Sequence, residues 1–374
     1  MQGSRRIGTR ARALAAVALA LALSVPMAGT PVAADSSQHQ QARAYHQSTL
    51  VTNLPTSSPA VQDPDLKNPW GVAFGYGANA TPLWTSNNGT ATSTLYSGAN
   101  GTTATVTKLG LTVTTPPGPT GVVINNDTSA FKLPDGRSSK FIFDTLGGQI
   151  AGWAAPPPPA STTTMVTQPG ASFTGLAIAE TPKGPRLYAA DAAHGVVRVY
   201  NGAFKQVNTF TDHRVPKHMV PYNVAHIGKR IFVSYAPAPG KKASVDGLVD
   251  VFKFNGHLAR RLLVGGKLDE PWGMVVAPDN WGKFGGDLLV GNEEGGAIHA
   301  YGRHNGHLHG TVRTLGGRAI KNDGLWGMQF GNGLIGTPRT LIVAAGIDDY
   351  ADGIVAAIVP VHRHHVVAYS QRNM

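Results

Sequence analysis

Glu270-Pro271-Trp272-Gly273-Met274 is a phrase the chain uses more than once, returning as Asn68-Pro69-Trp70-Gly71-Val72 and as Leu325-Trp326-Gly327-Met328. Each copy opens a short apolar run, followed by further runs that close on an aromatic residue and a Gly-rich turn. Weaker copies fill the intervals: Thr120-Gly121-Val122-Val123-Ile124, Thr174-Gly175-Leu176-Ala177-Ile178 and Tyr222-Asn223-Val224-Ala225. The marker positions Gly71, Gly121, Gly175, Asn223, Gly273 and Gly327 are spaced by 50, 54, 48, 50 and 54 residues. Units of that size, each reading as a meander of about four strands, predict an all-β six-bladed β-propeller with four-stranded antiparallel blades.

The first unit shows the pattern. Strands are expected over 70–74, 83–87, 93–96 and 103–109, with Asn88-Gly89 and Asn100-Gly101 supplying turns that tolerate positive φ. The sixth unit ends early, with no fourth strand after Ile358. Thr49 to Leu54 has strand composition and no hairpin partner, so the N-terminal strand is expected to join the last blade and close the ring, removing exposed edges. An open solenoid or two three-blade domains are the alternatives, but no linker-like composition falls mid-chain. The Pro-rich stretch 154–164 reads as a surface loop between third and fourth strands. The propeller is placed at 48–359, after a polar, disordered linker at 35–47 and before a flexible tail at 360–374.

Residues 1–34 stand outside the fold. Arg5, Arg6, Arg10 and Arg12 precede an apolar stretch from Ala13 to Val25, and Val32-Ala33-Ala34 is a small-residue cleavage site. That is the pattern of a secretory signal peptide, and Ser4-Arg5-Arg6 admits twin-arginine as well as Sec export. The expected location is secreted, extracellular or periplasmic. Cleavage removes four arginines and no acid, taking the formal charge from +11 to +7. The remaining basic pairs, Lys241-Lys242 and Arg260-Arg261, are isolated, which argues against nucleic-acid binding. There is no cysteine, so disulfides and thiolate chemistry are excluded and the core alone holds the chain.

The phrases Asn68-Pro69-Trp70-Gly71, Glu270-Pro271-Trp272-Gly273, Asp323-Gly324-Leu325-Trp326-Gly327 and above all Trp281-Gly282-Lys283-Phe284-Gly285-Gly286-Asp287-Leu288-Leu289-Val290-Gly291-Asn292 resemble a family of secreted, uncharacterised bacterial proteins, some of which end in PEP-CTERM surface-sorting tails. The resemblance covers roughly Leu50 to Ile358. It implies an NHL-like six-bladed propeller and export, and no established activity. This chain ends instead in Ser370-Gln371-Arg372-Asn373-Met374, so no stable membrane anchor is expected after signal cleavage.

Residues just before each marker glycine converge on the axis of a propeller. Asn68, Asn223, Glu270 and Asp323 there are hard oxygen donors of the kind Ca²⁺ takes, by analogy with six-bladed lactonases; turn capping and ion pairing are the plainer reading. Trp70, Trp272 and Trp326 share one repeat position, where they either pack between adjacent blades or form an aromatic rim for a flat ligand. His226 is the histidine expected nearest the channel. His299, His304, His307 and His309, and the group His362, His364 and His365, have no closed metal-site spacing and read as solvated surface. Asp144, Asp191 and Asn292 read as Asx-type turn caps. There is no Gly-x-Ser-x-Gly, P-loop or dinucleotide fingerprint. The leading reading is a monomeric, exported binding module for a small molecule, glycan or cell-surface polymer, acting at the channel mouth or its loops. The alternatives are a Ca²⁺-dependent hydrolase or lactonase at the channel, and a structural envelope or matrix protein.

Overall fold

The computed structural model describes residues 42–57, 60–99 and 105–361. The signal peptide, the Asn100-Gly101 turn and the tail histidines His362, His364 and His365 lie outside the described residues. The rest is a six-bladed β-propeller whose only helices among the described residues are three single 3₁₀ turns. The innermost strands are Pro69–Ala73, Pro119–Ile124, Phe173–Thr181, Met219–Ile227, Pro271–Val276 and Leu325–Phe330. Within each of the first five blades four consecutive strands pair in sequence order, as successive hairpins dictate. We call the end where the innermost strands begin the leading face, and the end where they finish the trailing face.

The sixth blade runs Leu325–Phe330, Leu341–Ile347, Asp352–Val361 and then the N-terminal strand Ala44–Thr52, with Val61–Gln62 parallel outside it. Ring closure by the N-terminus is therefore a feature of the fold. The closing strands are longer than the sequence suggests: Ala44 pairs with Val361 and Tyr45 with Pro360. The strand thus starts five residues before the expected Thr49, and Pro360 and Val361 belong to the last strand of the sixth blade. Its polar His46-Gln47-Ser48 run lies on the less buried stretch, which masked it, while Tyr45 is buried. Tyr45 is clasped by Trp281 and Phe284, with ring centroids 4.4 and 5.9 Å away, and its hydroxyl donates to the Trp281 carbonyl. The Trp281–Asp287 loop of blade five is thus the latch for the closing strand.

The apolar core divides as the architecture requires. Six clusters fill the six gaps between neighbouring blades, and a seventh lies on the axis. The repeated glycine explains how the innermost strands come close enough. A Cβ at Gly71 would lie 2.7 Å from the Thr120 carbonyl oxygen of the next blade; at Gly121, 2.5 Å from Leu176 N; at Gly273, 2.6 Å from Trp326 O; at Gly327, 2.6 Å from Trp70 O. Blade four has Asn223 instead, whose side-chain amide donates to the Trp272 carbonyl of blade five at 2.7 Å. Gly89 serves close approach too, since a Cβ there would meet Lys67 at 2.9 Å. The positive φ of that turn falls on Ala91, not on the expected Asn88-Gly89.

Candidate functional site

Every pairing of an innermost strand with its neighbour is irregular at one place, immediately before or at the marker position: Pro69/Val72, Pro119/Val122, Phe173/Leu176, Pro221/Asn223, Pro271/Gly273 and Leu325/Met328. Bulges bend a strand and re-aim a side chain. The residues at these irregularities are Trp70, Thr120, Thr174, Tyr222, Trp272 and Trp326. Thr120 and Thr174 donate to the carbonyls of Phe173 and Pro221 in the following blades. The three tryptophans meet on the axis. Trp70 stacks on Trp326 at 3.7 Å, and Trp272 meets both edge-on at 6.2 and 6.0 Å.

The tryptophans therefore neither pack between blades nor form an open rim, as either sequence reading had it. Only 8%, 5% and 2% of Trp70, Trp272 and Trp326 is exposed, and with Tyr222 against them they plug the channel at its leading end. Trp272 Nε1 donates across the axis to the Thr174 carbonyl, and Trp326 Nε1 to Asn68 Oδ1. Trp70 Nε1 is buried without a partner among the described residues.

Below the plug lies a cavity of about 250 Å³, floored by Trp272 and lined from the marker glycines onward by all six innermost strands. Its wall is mixed: the side chains of Val72, Val122, Leu176, Met274 and Met328, then Phe74, Ile124 and Ile178 toward the trailing end, alternate with the polar backbone of the strands and with Asn223 and Gln329. There Ile124, Ile178 and Gln329 are partly exposed and His226 is exposed, so the channel opens on the trailing face. His226 lines that mouth as expected, with Nε2 2.8 Å from the Gly228 carbonyl oxygen and its ring beside Phe254.

A second constellation sits on the leading face, outside the plug. Glu270 takes φ 47°, matching Asn68 at φ 44°, while Gly118 and Gly324 occupy the corresponding left-handed position in their blades. A left-handed backbone costs a non-glycine residue about 1–3 kcal/mol. Burial, a hydrogen bond to Glu293 and the Glu293 charge raise Glu270 to about 7. Burial raises Glu293 as well, against the hydrogen bonds it accepts from Tyr350 and Glu270. Glu293 is only 3% exposed. Tyr350 closes a run of three left-handed residues, Asp348, Asp349 and Tyr350, and its ring lies 6.0 Å from Trp326. Glu293 and Tyr350 were not legible beforehand. The signal available was that the turn after the second strand carries Glu293-Glu294 in blade five, where blades one to three have Asn88-Gly89, Leu146-Gly147 and Ala192-Ala193.

The four candidate metal ligands do not assemble. Asn68 Oδ1 is taken by Trp326 and Asn223 Oδ1 by the Val224 N–H, Asp323 is exposed, and Glu270 turns to Glu293. Among the described residues no group of three or more His, Cys, Asp or Glu side chains is arranged to hold a metal ion. The sequence set thus does not fit Ca²⁺, because the amides are spent on holding the plug. The histidines also divide. His304 and His307 are exposed, but His299 is buried, with Nδ1 3.0 Å from Thr311 Oγ1, and burial lowers it to about 4. Asp144 is not a turn cap: it accepts from Thr120 Oγ1 and Gly121 N of the innermost strand at 2.7 Å each. Asn292 donates to the Lys267 carbonyl, and only Asp191 accepts from the turn that follows it.

No family model matches the chain. Two uncharacterised proteins of Acanthamoeba polyphaga mimivirus are 28% and 26% identical to it over 335 and 328 residues, covering 83% and 79% of this chain and 78% and 81% of theirs. Among solved structures, virginiamycin B lyase from Staphylococcus aureus aligns with 85% of this chain and 100% of its own at TM-score 0.50 and 11% identity. Likeness at that identity concerns the fold alone. The sequence relatives are viral, and they lend no support to the bacterial and surface-sorting parts of the family resemblance.

Proposed function

We propose that the chain is an exported, monomeric β-propeller that binds a small molecule in its axial channel, through the trailing mouth. One observation carries this reading: the tryptophan plug converts a through-channel into a blind pore of about 250 Å³ with apolar side chains from all six blades on its wall. Concave, mostly apolar sites with a few polar groups at the opening are where small ligands bind. Export by the N-terminal signal, and kinship with the secreted bacterial family, belong to the same proposal. The test uses decan-1-ol as a neutral probe, followed by tryptophan fluorescence and by thermal shift. Saturable binding that is lost on substituting two lining residues, in Ala225→Phe and in Val123→Phe, supports the reading. Absence of saturable binding removes it.

A second reading is favoured by the Glu270–Glu293 pair. Two carboxyl groups sharing a proton near neutral pH are suited to general acid–base work, and the reaction they would serve is metal-independent hydrolysis on the leading face. It is tested with a panel of lactones and aryl esters. Hydrolysis abolished by both Glu270→Gln and Glu293→Gln supports it; hydrolysis indifferent to both, or none at all, removes it.

A further inference from the structure

We propose that the occupant of the axial channel is an anionic amphiphile: a carboxylate carried on a slim apolar body, inserted tail-first through the trailing mouth. This rests on the channel being the ligand site and adds the chemical class of the ligand. Shape gives the direction of insertion. The plug closes the leading end, so the part that enters first meets the Trp272 ring and the side chains of Met274, Met328, Val72, Val122 and Leu176, which suit an apolar tail.

Size bounds the body. An apolar cavity of about 150 Å³ accepts benzene, and in proportion the space here takes roughly ten carbons. A larger or branched body would be stopped by the close approach of the innermost strands at the marker glycines.

Charge selects the head group. The turns joining first to second strands lie on the trailing face, and in blades two to four these turns and the strand ends beside them carry Lys132, Lys140, Lys183, Arg186, Lys229 and Arg230. The same turns carry only Asp127, Asp135 and Glu180, and Arg137 pairs with Asp135 at 2.7 Å. Lys229 and Arg230 are exposed and follow His226 at the mouth itself. On the leading face of blades five and six Asp269, Glu270, Glu293, Glu294, Asp348 and Asp349 gather around the Glu270 constellation, with Lys267, Arg313, Arg318 and Lys321 on the same connections. The axis therefore runs from a plugged end of mixed charge, with its acids gathered beside Glu270, to a basic, open end. Charge arranged this way steers an anion to the mouth and orients it there, head outward and tail toward the plug.

Three probes with one tail and different heads test this: decanoate, decan-1-ol and decyltrimethylammonium, each titrated into the mature chain by calorimetry below its micellar concentration. Decanoate is expected to bind at least about tenfold more tightly than decyltrimethylammonium, with the alcohol between them, and added salt should narrow the gap. The double substitution Lys229→Glu/Arg230→Glu should erase or invert the order while leaving decan-1-ol binding in place. Ala225→Phe and Val123→Phe, each checked for folding by its melting curve, should abolish all three. Binding of the decyl probes with no preference for the anion, or with the cation preferred, overturns the head-group assignment and leaves the channel reading standing. Failure of all three probes, or binding that persists in both phenylalanine variants, overturns the two together.

Discussion

Gly327→Ala puts one methyl group at a tight joint of the ring, between blades six and one. The new Cβ would sit 2.6 Å from the Trp70 carbonyl oxygen and 3.0 Å from Val72 N and Cγ2. Two of these neighbours are backbone atoms of blade one, so no side-chain rotation relieves the clash. To reach the 3.4 Å of ordinary contact the strands of blades six and one must part by about 0.8 Å. That displacement acts directly on the Trp70–Trp326 stack, whose centroids are 3.7 Å apart. Overpacking a well-filled core costs typically about 1–3 kcal/mol, and a rigid neighbour places this case near the upper end. At about 2 °C per kcal/mol for a domain of this size, the apparent Tm should fall by about 6 °C. Gly110→Ala is the control, because nothing lies within 4 Å of the Cβ it would acquire; it should move Tm by no more than about 1 °C. Differential scanning calorimetry of both variants decides. An unchanged Tm for Gly327→Ala would mean that close approach is not why the repeat keeps its glycine.

Three further outcomes follow from the same structure. Tyr45→Ala removes the ring clasped by Trp281 and Phe284 and should cost about 3–5 kcal/mol, with hydrogen exchange accelerated first in Ala44–Thr52 and Asp352–Val361; uniform acceleration across all blades would contradict the latch. Glu270 has a folded pKa of about 7 against 4.5 for the free group, so the folded chain holds this proton more tightly. The resulting stability is complete below about 4.5 and is lost as pH rises through 7. Urea midpoints should therefore decline across that window in the wild type and less so in Glu270→Gln; parallel declines would discount the pair. His299 works in the opposite sense, its folded value lying near 4 against 6.5. It disfavours the protonated folded state, and its stability, complete above 6.5, is lost as pH falls toward 4. His299→Gln should flatten that acid limb, and an unaltered limb would show that the ring stays accessible to protons.

The repeat was legible because its physical cause is local. One strand start per blade needs a residue without a side chain at the point of closest approach, and that leaves a fixed letter every 48 to 54 residues. Asn223 breaks the letter while keeping the function, through a side-chain bond to Trp272 that only the neighbouring strand reveals. The meeting of Trp70, Trp272 and Trp326 was half legible: one repeat position implies one radial level, but whether a ring points to the gap or to the axis is decided by a bulge. Glu293 and Tyr350 could not be reached this way. They lie on connecting turns of different blades, 57 residues apart, and meet Glu270 only because blades five and six are adjacent in the ring. Ring closure itself was read from a missing strand and an unpaired one, yet its first residues were misjudged. Tyr45 looked like part of a polar leader, because the partner that buries it, Trp281, lies 236 residues away.

Whether the plugged channel is the ligand site is tested most directly by locating a heavy atom at the end of a bound tail. Crystals grown with 10-bromodecanoate and measured at the bromine absorption edge would give that position in a single anomalous map. The expected result is one bromine peak on the axis, between Trp272 and Met328, with the carboxylate near His226. A channel without bromine, or a peak on the leading face beside Glu270 and Tyr350, would contradict the central claim.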